Sequence, residues 1–321
     1  MAKYTFLIPT YKPDYLKEAL NSILSQTFVD FNVIISNDCS PFDIKSIVTG
    51  FDDSRIIYRE NEKNIGGERL VEHWNKLVTL CDSDYLIMAA DDDIYNPNFL
   101  QDVDTLVNKY PNVDIIRTRT CKINGNNEIT DTEGICDEIG TDLDATYNSF
   151  CSDQIWCVGN YIFKTEALKK AGGFEDFPYA WFSDLATALK IAKNGIGYTS
   201  DNGFRFRLSE SNISNTKKYK MLDQQKFEAT IRFGEWISEY FSEITPSCDT
   251  LSKRRFSKAL HCANTIIHSQ LGDYGWAVSI RCLLQAYHRI SHLNGFSKSS
   301  FIKNYTLAML ARKFGKYVGQ S

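Results

Sequence analysis

Short, almost purely apolar runs that end in polar clusters constrain this chain more than any other feature. YTFLI (4–8) stops at Pro9, FNVIIS (31–36) ends in Asn37-Asp38, and DYLIMAA (84–90) runs into Asp91-Asp92-Asp93. RIIYR (55–59) and DIIRTRTCKI (114–123) are two further runs. Segments of this length and composition read as buried strands. Between them, Leu16, Ala19, Leu20, Ile23 and Leu24 recur at helical spacing, as do Leu70, Trp74, Leu77 and Val78 after Gly66-Gly67. Strand and helix alternate with short connections. That pattern predicts an α/β fold, a mostly parallel central sheet sandwiched between layers of helices. Ligands of such sheets bind at the carboxyl ends of the strands, where Thr10, Tyr11, Asp38 and Asp91 to Asp93 emerge.

Residues 125–155 read as a polar, irregular excursion over one face. NYIFK (160–164) reads as a strand leading to a short helix stopped at Gly172-Gly173, and 183–194 as a helix. From about residue 216 the pattern turns helical without clear strands. The expected division is 1–214 and a helical extension over 215–321, with the first part split into halves at about 1–123 and 124–214.

Composition narrows the function. A net charge of −4 excludes a whole-chain nucleic-acid binder. Nine cysteines without a Cys-x-x-Cys pair favour a reducing compartment over a disulfide or zinc framework. No apolar run approaches the roughly 20 residues that span a bilayer, and the first run is too short for a signal-peptide core. A cytoplasmic protein is expected. The last 48 residues, 274–321, hold seven Lys or Arg and no Asp or Glu. This basic tail reads either as a helix packed on the core or as a peripheral contact with the inner face of the membrane. The oligomeric state is left open.

Three consecutive carboxylates at a strand end repel and raise one another's pKa. A hard cation relieves the conflict: Mg²⁺ or Mn²⁺ takes one or two carboxylates plus substrate phosphates. The plain alternative is a solvated acidic turn before Pro97.

Four segments, in this order, resemble the family 2 glycosyltransferases, enzymes of bacterial polysaccharide biosynthesis with the GT-A fold. They are IPTYKPDYLKEALNSILSQTFVDFNVIISNDCS, NEKNIGGERL, DYLIMAADDDIYNPNFL and KKAGGFEDFPYAWFSDLATALKIAKNG, within residues 3–214. The resemblance implies a nucleotide-sugar site, with Pro9, Thr10 and Tyr11 in the loop meeting the nucleoside. Asp38 would accept hydrogen bonds from base or ribose, or serve only as a turn former. Asn64 and Gly66 would lie in the turn under the nucleotide. Arg69 would reach base or phosphate, or remain a surface arginine. Aligning the family's Asp-x-Asp-Asp (DXD) motif on Ile94-Tyr95 puts Ala90 at the first aspartate. Asp92 then becomes the main metal ligand, Asp91 a sugar or ribose contact, and Asp93 a metal-site residue acting from behind. An Asp91-x-Asp93 reading fits the flank less well.

In WFSDLATALK, Asp184 falls on the family's general-base position, where it would also cap the following helix. Arg207 is expected at the diphosphate or paired with a core carboxylate. Ser209 replaces the histidine that the family often shows there, with Ser214 following. Trp156, Tyr179, Trp181 and Phe182 read as sugar platforms or as ordinary packing. The resemblance thus implies a metal-dependent inverting transferase that takes its sugar from a nucleoside-diphosphate donor, a UDP-sugar first. The acceptor would be a glycan or a lipid-linked hydroxyl. A degenerate, binding-only domain and a nucleotidyltransferase are the alternatives; IPTYKPDYL lacks the latter's glycine-rich phosphate loop.

Overall fold

The structure is a computed structural model that describes residues 2–208, 220–293, 297–299, 301–303 and 306. Ser209, Ser214, the expected boundary near 215 and the end of the basic tail, 307–321, lie outside the described residues.

The strands are β1 (Tyr4–Thr10), β2 (Phe31–Asn37), β3 (Ile56–Glu60), β4 (Tyr85–Met88), β5 (Ile94–Tyr95), β6 (Ile115–Ile123), β7 (Ile129–Thr132), β8 (Ile139–Gly140), β9 (Tyr161–Lys164) and β10 (Ile196–Arg207). The helices of the same unit are α1 (Leu16–Leu24), α2 (Ile44–Thr49), α3 (Leu70–Thr79), α4 (Phe99–Lys109), α5 (Asp142–Cys151), α6 (Thr165–Lys170) and α7 (Ser183–Ile191). One sheet runs β3-β2-β1-β4-β9-β6-β10-β5, with β7 on β6 and β8 on β10. Pairs β3-β2, β2-β1, β1-β4 and β6-β10 are parallel; β9 lies antiparallel between β4 and β6.

This order creates the site. The chain leaves β1 through α1 to β2 and then β3, and α3 brings it back to β4 on the other side of β1. The β1–β4 junction is therefore a switch point, where the connections diverge and open a crevice at the carboxyl ends. α1 keeps its place by burying Leu16, Ala19, Leu20 and Ile23, and α3 by burying Val71, Trp74, Leu77 and Val78. In the core, Phe6 meets Tyr95 edge-on at 5.1 Å, and Tyr95 meets Phe99 at 4.7 Å.

The stretch 125–155 is more ordered than its composition predicts. It holds β7, β8 and α5, and α5 begins in a reciprocal box in which Thr141 accepts from the Asp144 N–H and Asp144 from the Thr141 N–H. A buried ion pair ties it to the sheet. Arg117 Nη1 donates to Glu133 Oε2 at 2.8 Å and Nη2 to Oε1, while both side chains are 2% exposed.

A second compact unit comprises Phe177–Phe182 and 216–321, with the first holding 1–176 and 183–215. Its helices are α8 (Lys220–Glu243), α9 (Thr250–Tyr274) and α10 (Ile280–Ile290). Within it, Phe182 stacks on Phe233 at 4.3 Å and Trp181 Nε1 donates to Gln270 Oε1 at 3.0 Å. Trp156 Nε1 likewise donates to the Ser149 carbonyl, at 3.0 Å. No described helix is long and apolar enough to cross a membrane.

Candidate active site

Thr10 closes β1 and turns its hydroxyl across the switch point, where Oγ1 donates to Asp91 Oδ2 at 2.8 Å. The Tyr11 N–H donates to the same oxygen at 3.2 Å. The loops after β1 and β4 are thus joined at the residues that the sequence singles out. Tyr11 is 41% exposed, and Pro9 lies in the last part of β1.

The loop after β2 is organised from inside. Asp38 is buried, and its carboxylate accepts from Asn61 Nδ2 (2.8 Å), the Ile65 N–H (2.9 Å) and the Gly66 N–H (2.7 Å). Asn64 Nδ2 donates to the Asp38 carbonyl at 2.8 Å. Gly66 sits at φ 45°, ψ −179°, and a Cβ there would lie 2.0 Å from Asn64 Oδ1. Only glycine fits both the dihedrals and the space. α3 braces this loop: Lys76 Nζ donates to Asn61 Oδ1 at 2.7 Å, and His73 Nε2 lies 2.8 Å from Ser36 Oγ. Burial pushes the His73 pKa down, which keeps the ring neutral. Asp38 thereby acts on its own loop. Asn61, His73 and Lys76 were not legible as site residues, since nothing in their spacing distinguishes them from a strand end and a helix face. Arg69 is exposed and donates through Nε to Glu72 Oε2 at 2.6 Å, the surface-pair alternative.

The acidic loop divides by depth. Asp91 and Asp92 are half-buried and Asp93 is 1% exposed. Burial raises the pKa of all three. Asp92 is pushed up to about 7 by burial and then by the Asp91 charge, with Arg207 and Lys12 opposing. Asp93 Oδ1 accepts from the Arg207 N–H at 2.8 Å, which turns it inward. Arg207 itself is fully buried and committed to the protein: Nε donates to the Asp92 carbonyl at 2.7 Å and Nη2 to Glu18 Oε2 at 2.8 Å. Its carboxylate partner is Glu18 of α1, whose side chain is 40% exposed rather than part of the core.

No group of three or more His, Cys, Asp or Glu could hold a metal ion alone among the described residues. The donor set still fits a hard cation. Asp91 and Asp92 are adjacent, oxygen-bearing and half-buried, and the Asp91 charge raises the pKa of Asp92. Mg²⁺ and Mn²⁺ bind through one or two carboxylates and complete their shell with phosphate oxygens and water.

Asp184 stands in the first turn of α7, half-buried, with Oδ1 accepting from the Leu185 N–H at 2.8 Å. Burial pushes its pKa up to about 6, with the Leu185 N–H and the Arg117 charge pulling the other way. A carboxylate so placed is ionised at neutral pH yet basic enough to take a proton. The neighbouring acids are engaged elsewhere: Glu175 accepts from Lys190 Nζ at 2.5 Å, and Asp153 from the Gly134 N–H at 3.1 Å.

The model of glycosyl transferase family 2 matches residues 5–172, a little over half of the chain. An uncharacterized glycosyltransferase of Rickettsia prowazekii is 29% identical over 113 residues, covering 35% of this chain and 34% of the relative. The chain thus spans about a third of the length of the first curated relatives it matches. The Escherichia coli UDP-Glc:alpha-D-GlcNAc-diphosphoundecaprenol beta-1,3-glucosyltransferase WfgD is 24% identical over 228 residues, covering 69% of this chain and 83% of the relative. Among solved structures, S. aureus TarS 1–349 in complex with UDP-GlcNAc superposes with a TM-score of 0.57 at 17% identity, covering 98% of this chain and 92% of that TarS 1–349 chain. The mannosyltransferase PcManGT of Pyrobaculum calidifontis, in complex with GDP-Man and Mn²⁺, gives 0.55 at 15%, covering 98% and 88%. Both structures share the fold.

Proposed function

This chain belongs to glycosyl transferase family 2, and on that premise we propose that it transfers a sugar, with inversion and with the help of a divalent metal, from a nucleoside-diphosphate donor to an acceptor hydroxyl. A UDP-sugar donor and a glycan or lipid-linked acceptor fit best. The name of WfgD and the ligand of TarS support UDP, and the lipid-linked acceptor in the name of WfgD supports that class. The observation that carries the reading is the joining of Asp91 to Thr10 and Tyr11 at the β1–β4 switch point, beside the half-buried carboxyl of Asp92.

Each residue then has a task. Pro9, Thr10 and Tyr11 receive the nucleoside, and Asp38 holds Asn64 and Gly66 in the turn beneath it. Asp92, with Asp91 beside it and Asp93 behind, would hold Mg²⁺ or Mn²⁺, which when bound neutralises charge on the diphosphate. Asp184 accepts the proton of the acceptor hydroxyl as that oxygen forms its bond to the anomeric carbon. The bond to the diphosphate breaks on the opposite face, which inverts the centre. Residues 124–214 would supply the acceptor half, and 215–321 a helical extension.

Calorimetric titration of UDP with and without Mn²⁺, on the native chain and on Asp92→Asn, tests this. A metal contributes several kcal/mol to such a step, so Asp92→Asn is expected to lose the Mn²⁺-dependent binding and about a thousandfold in turnover. Native turnover in Asp92→Asn would refute the metal assignment. Absence of metal-dependent binding for any nucleotide would favour a binding-only domain.

A further inference from the structure

Arg207 is the largest fully buried side chain among the described residues, and its fork serves three separate parts of the first unit. From the end of β10, its N–H fixes Asp93 Oδ1 (2.8 Å) and its Nε fixes the Asp92 carbonyl (2.7 Å). Nη2 reaches Glu18 Oε2 on α1 at 2.8 Å, and Nη1 reaches Asn127 Oδ1 at 2.6 Å in the turn between β6 and β7. Asn127 Nδ2 closes the ring by donating to Glu18 Oε1 at 2.6 Å. The guanidinium lies over the Tyr15 ring, 4.1 Å from its centroid. Asn127 has φ 66°, a left-handed conformation that asparagine tolerates, and the bend aims its amide at both partners.

Geometry of this kind has a consequence for Asp92. A metal ligand is only as well placed as the groups that hold its backbone, and loss of such supporting contacts typically weakens metal affinity or activity about 10–100-fold. We propose that Glu18, Asn127 and Arg207 form a clamp that positions the Asp92-Asp93 loop for metal-assisted donor binding, with Glu18 and Asn127 acting through Arg207. All three are positioning residues. The assignment rests on the functional reading above, and it moves Arg207 from the diphosphate to the support of the acidic loop. It also accounts for the buried cation. Arg207 could not be replaced by lysine without loss, because a single ammonium cannot reach Asp92, Glu18 and Asn127 together in the planar arrangement that the fork provides.

Asn127→Ala and Glu18→Gln test the clamp on the full chain, since both positions lie near the surface and neither touches the acidic loop directly. Mn²⁺ is titrated calorimetrically at fixed UDP, and melting is followed alongside. Each variant is expected to need about tenfold more Mn²⁺ for half-maximal UDP binding, while UDP binding without metal stays as in the native chain. Arg207→Lys is expected to show the same shift, larger. If the native chain binds UDP with Mn²⁺ and both surface variants match its Mn²⁺ dependence, the clamp is refuted, whatever happens to their melting temperatures. If the native chain shows no Mn²⁺ dependence, the functional reading fails first, and the two failures are told apart.

Discussion

Replacing Asp184 by Asn separates catalysis from stability. The carboxyl is raised from its ordinary 3.8 to about 6, mainly by burial. The native protein therefore binds this proton more tightly than the unfolded chain does. Its ionised form costs stability above about pH 6, and that cost fades as pH falls toward 4. A displacement of this size corresponds to about 3 kcal/mol at neutral pH. This is a ceiling, because the side chain still meets some water. Asparagine removes the charge yet keeps an oxygen for the Leu185 N–H, which the aspartate now receives at 2.8 Å. Water reaching the half-buried side chain lowers the effect below that ceiling. A net gain of about 2 kcal/mol remains, or about 4 °C or more in melting temperature for a unit of this size. Thermal melts of both proteins from pH 4.5 to 8 measure it. The difference should be largest at pH 7.5–8 and shrink steadily below pH 6, while sugar transfer is lost throughout and UDP binding is kept. A variant that melts lower than the native chain at pH 8, or a difference that does not change with pH, would refute the burial argument. Surviving transfer would place the base elsewhere.

Two other substitutions probe the scaffold. Gly66→Ala puts a methyl group 2.0 Å from Asn64 Oδ1 at φ 45°, which should cost about 1–3 kcal/mol and weaken UDP binding at least tenfold by pushing Asn64 off the Asp38 carbonyl; melting and calorimetry read the two effects. Arg117→Met leaves Glu133 buried without its cation and should cost about 3–5 kcal/mol in urea unfolding, and adding Glu133→Gln should recover part of that loss.

The sequence made some of this legible because it is local. Burial on both faces makes β1, β2 and β4 read as continuous apolar runs, and the polar residues at their ends are where the chain emerges. The strand β10 escaped notice for the opposite reason. Its centre, TSDNG, is polar, and its pairing with β6 shifts register between Tyr198 and Asn202, so alternation fails there. α5 is announced by its Thr141–Asp144 box rather than by an apolar stripe, which is why 125–155 reads as irregular. Arg69 pairs with Glu72 three residues on, a contact that the sequence places within one helical turn.

Arg207 shows where local reading stops. Its partners are Glu18, 189 positions away, Asn127, 80 away, and the Asp92 carbonyl, 115 away. An arginine near a nucleotide motif suggests phosphate, and nothing within ten residues contradicts that. The decision belongs to topology: the order β6-β10-β5 carries the end of β10 beside β5, whose first residue follows Asp93 directly. Once that order holds, the Arg207 N–H must face the acidic loop, and its side chain can remain buried only if α1 and the β6–β7 turn supply acceptors. Glu18 and Asn127 do so. The same three aspartates that look alike in the sequence therefore divide into one bound to the β1 loop, one held through its backbone carbonyl, and one turned inward. Sheet order, rather than the residue types themselves, sets that division.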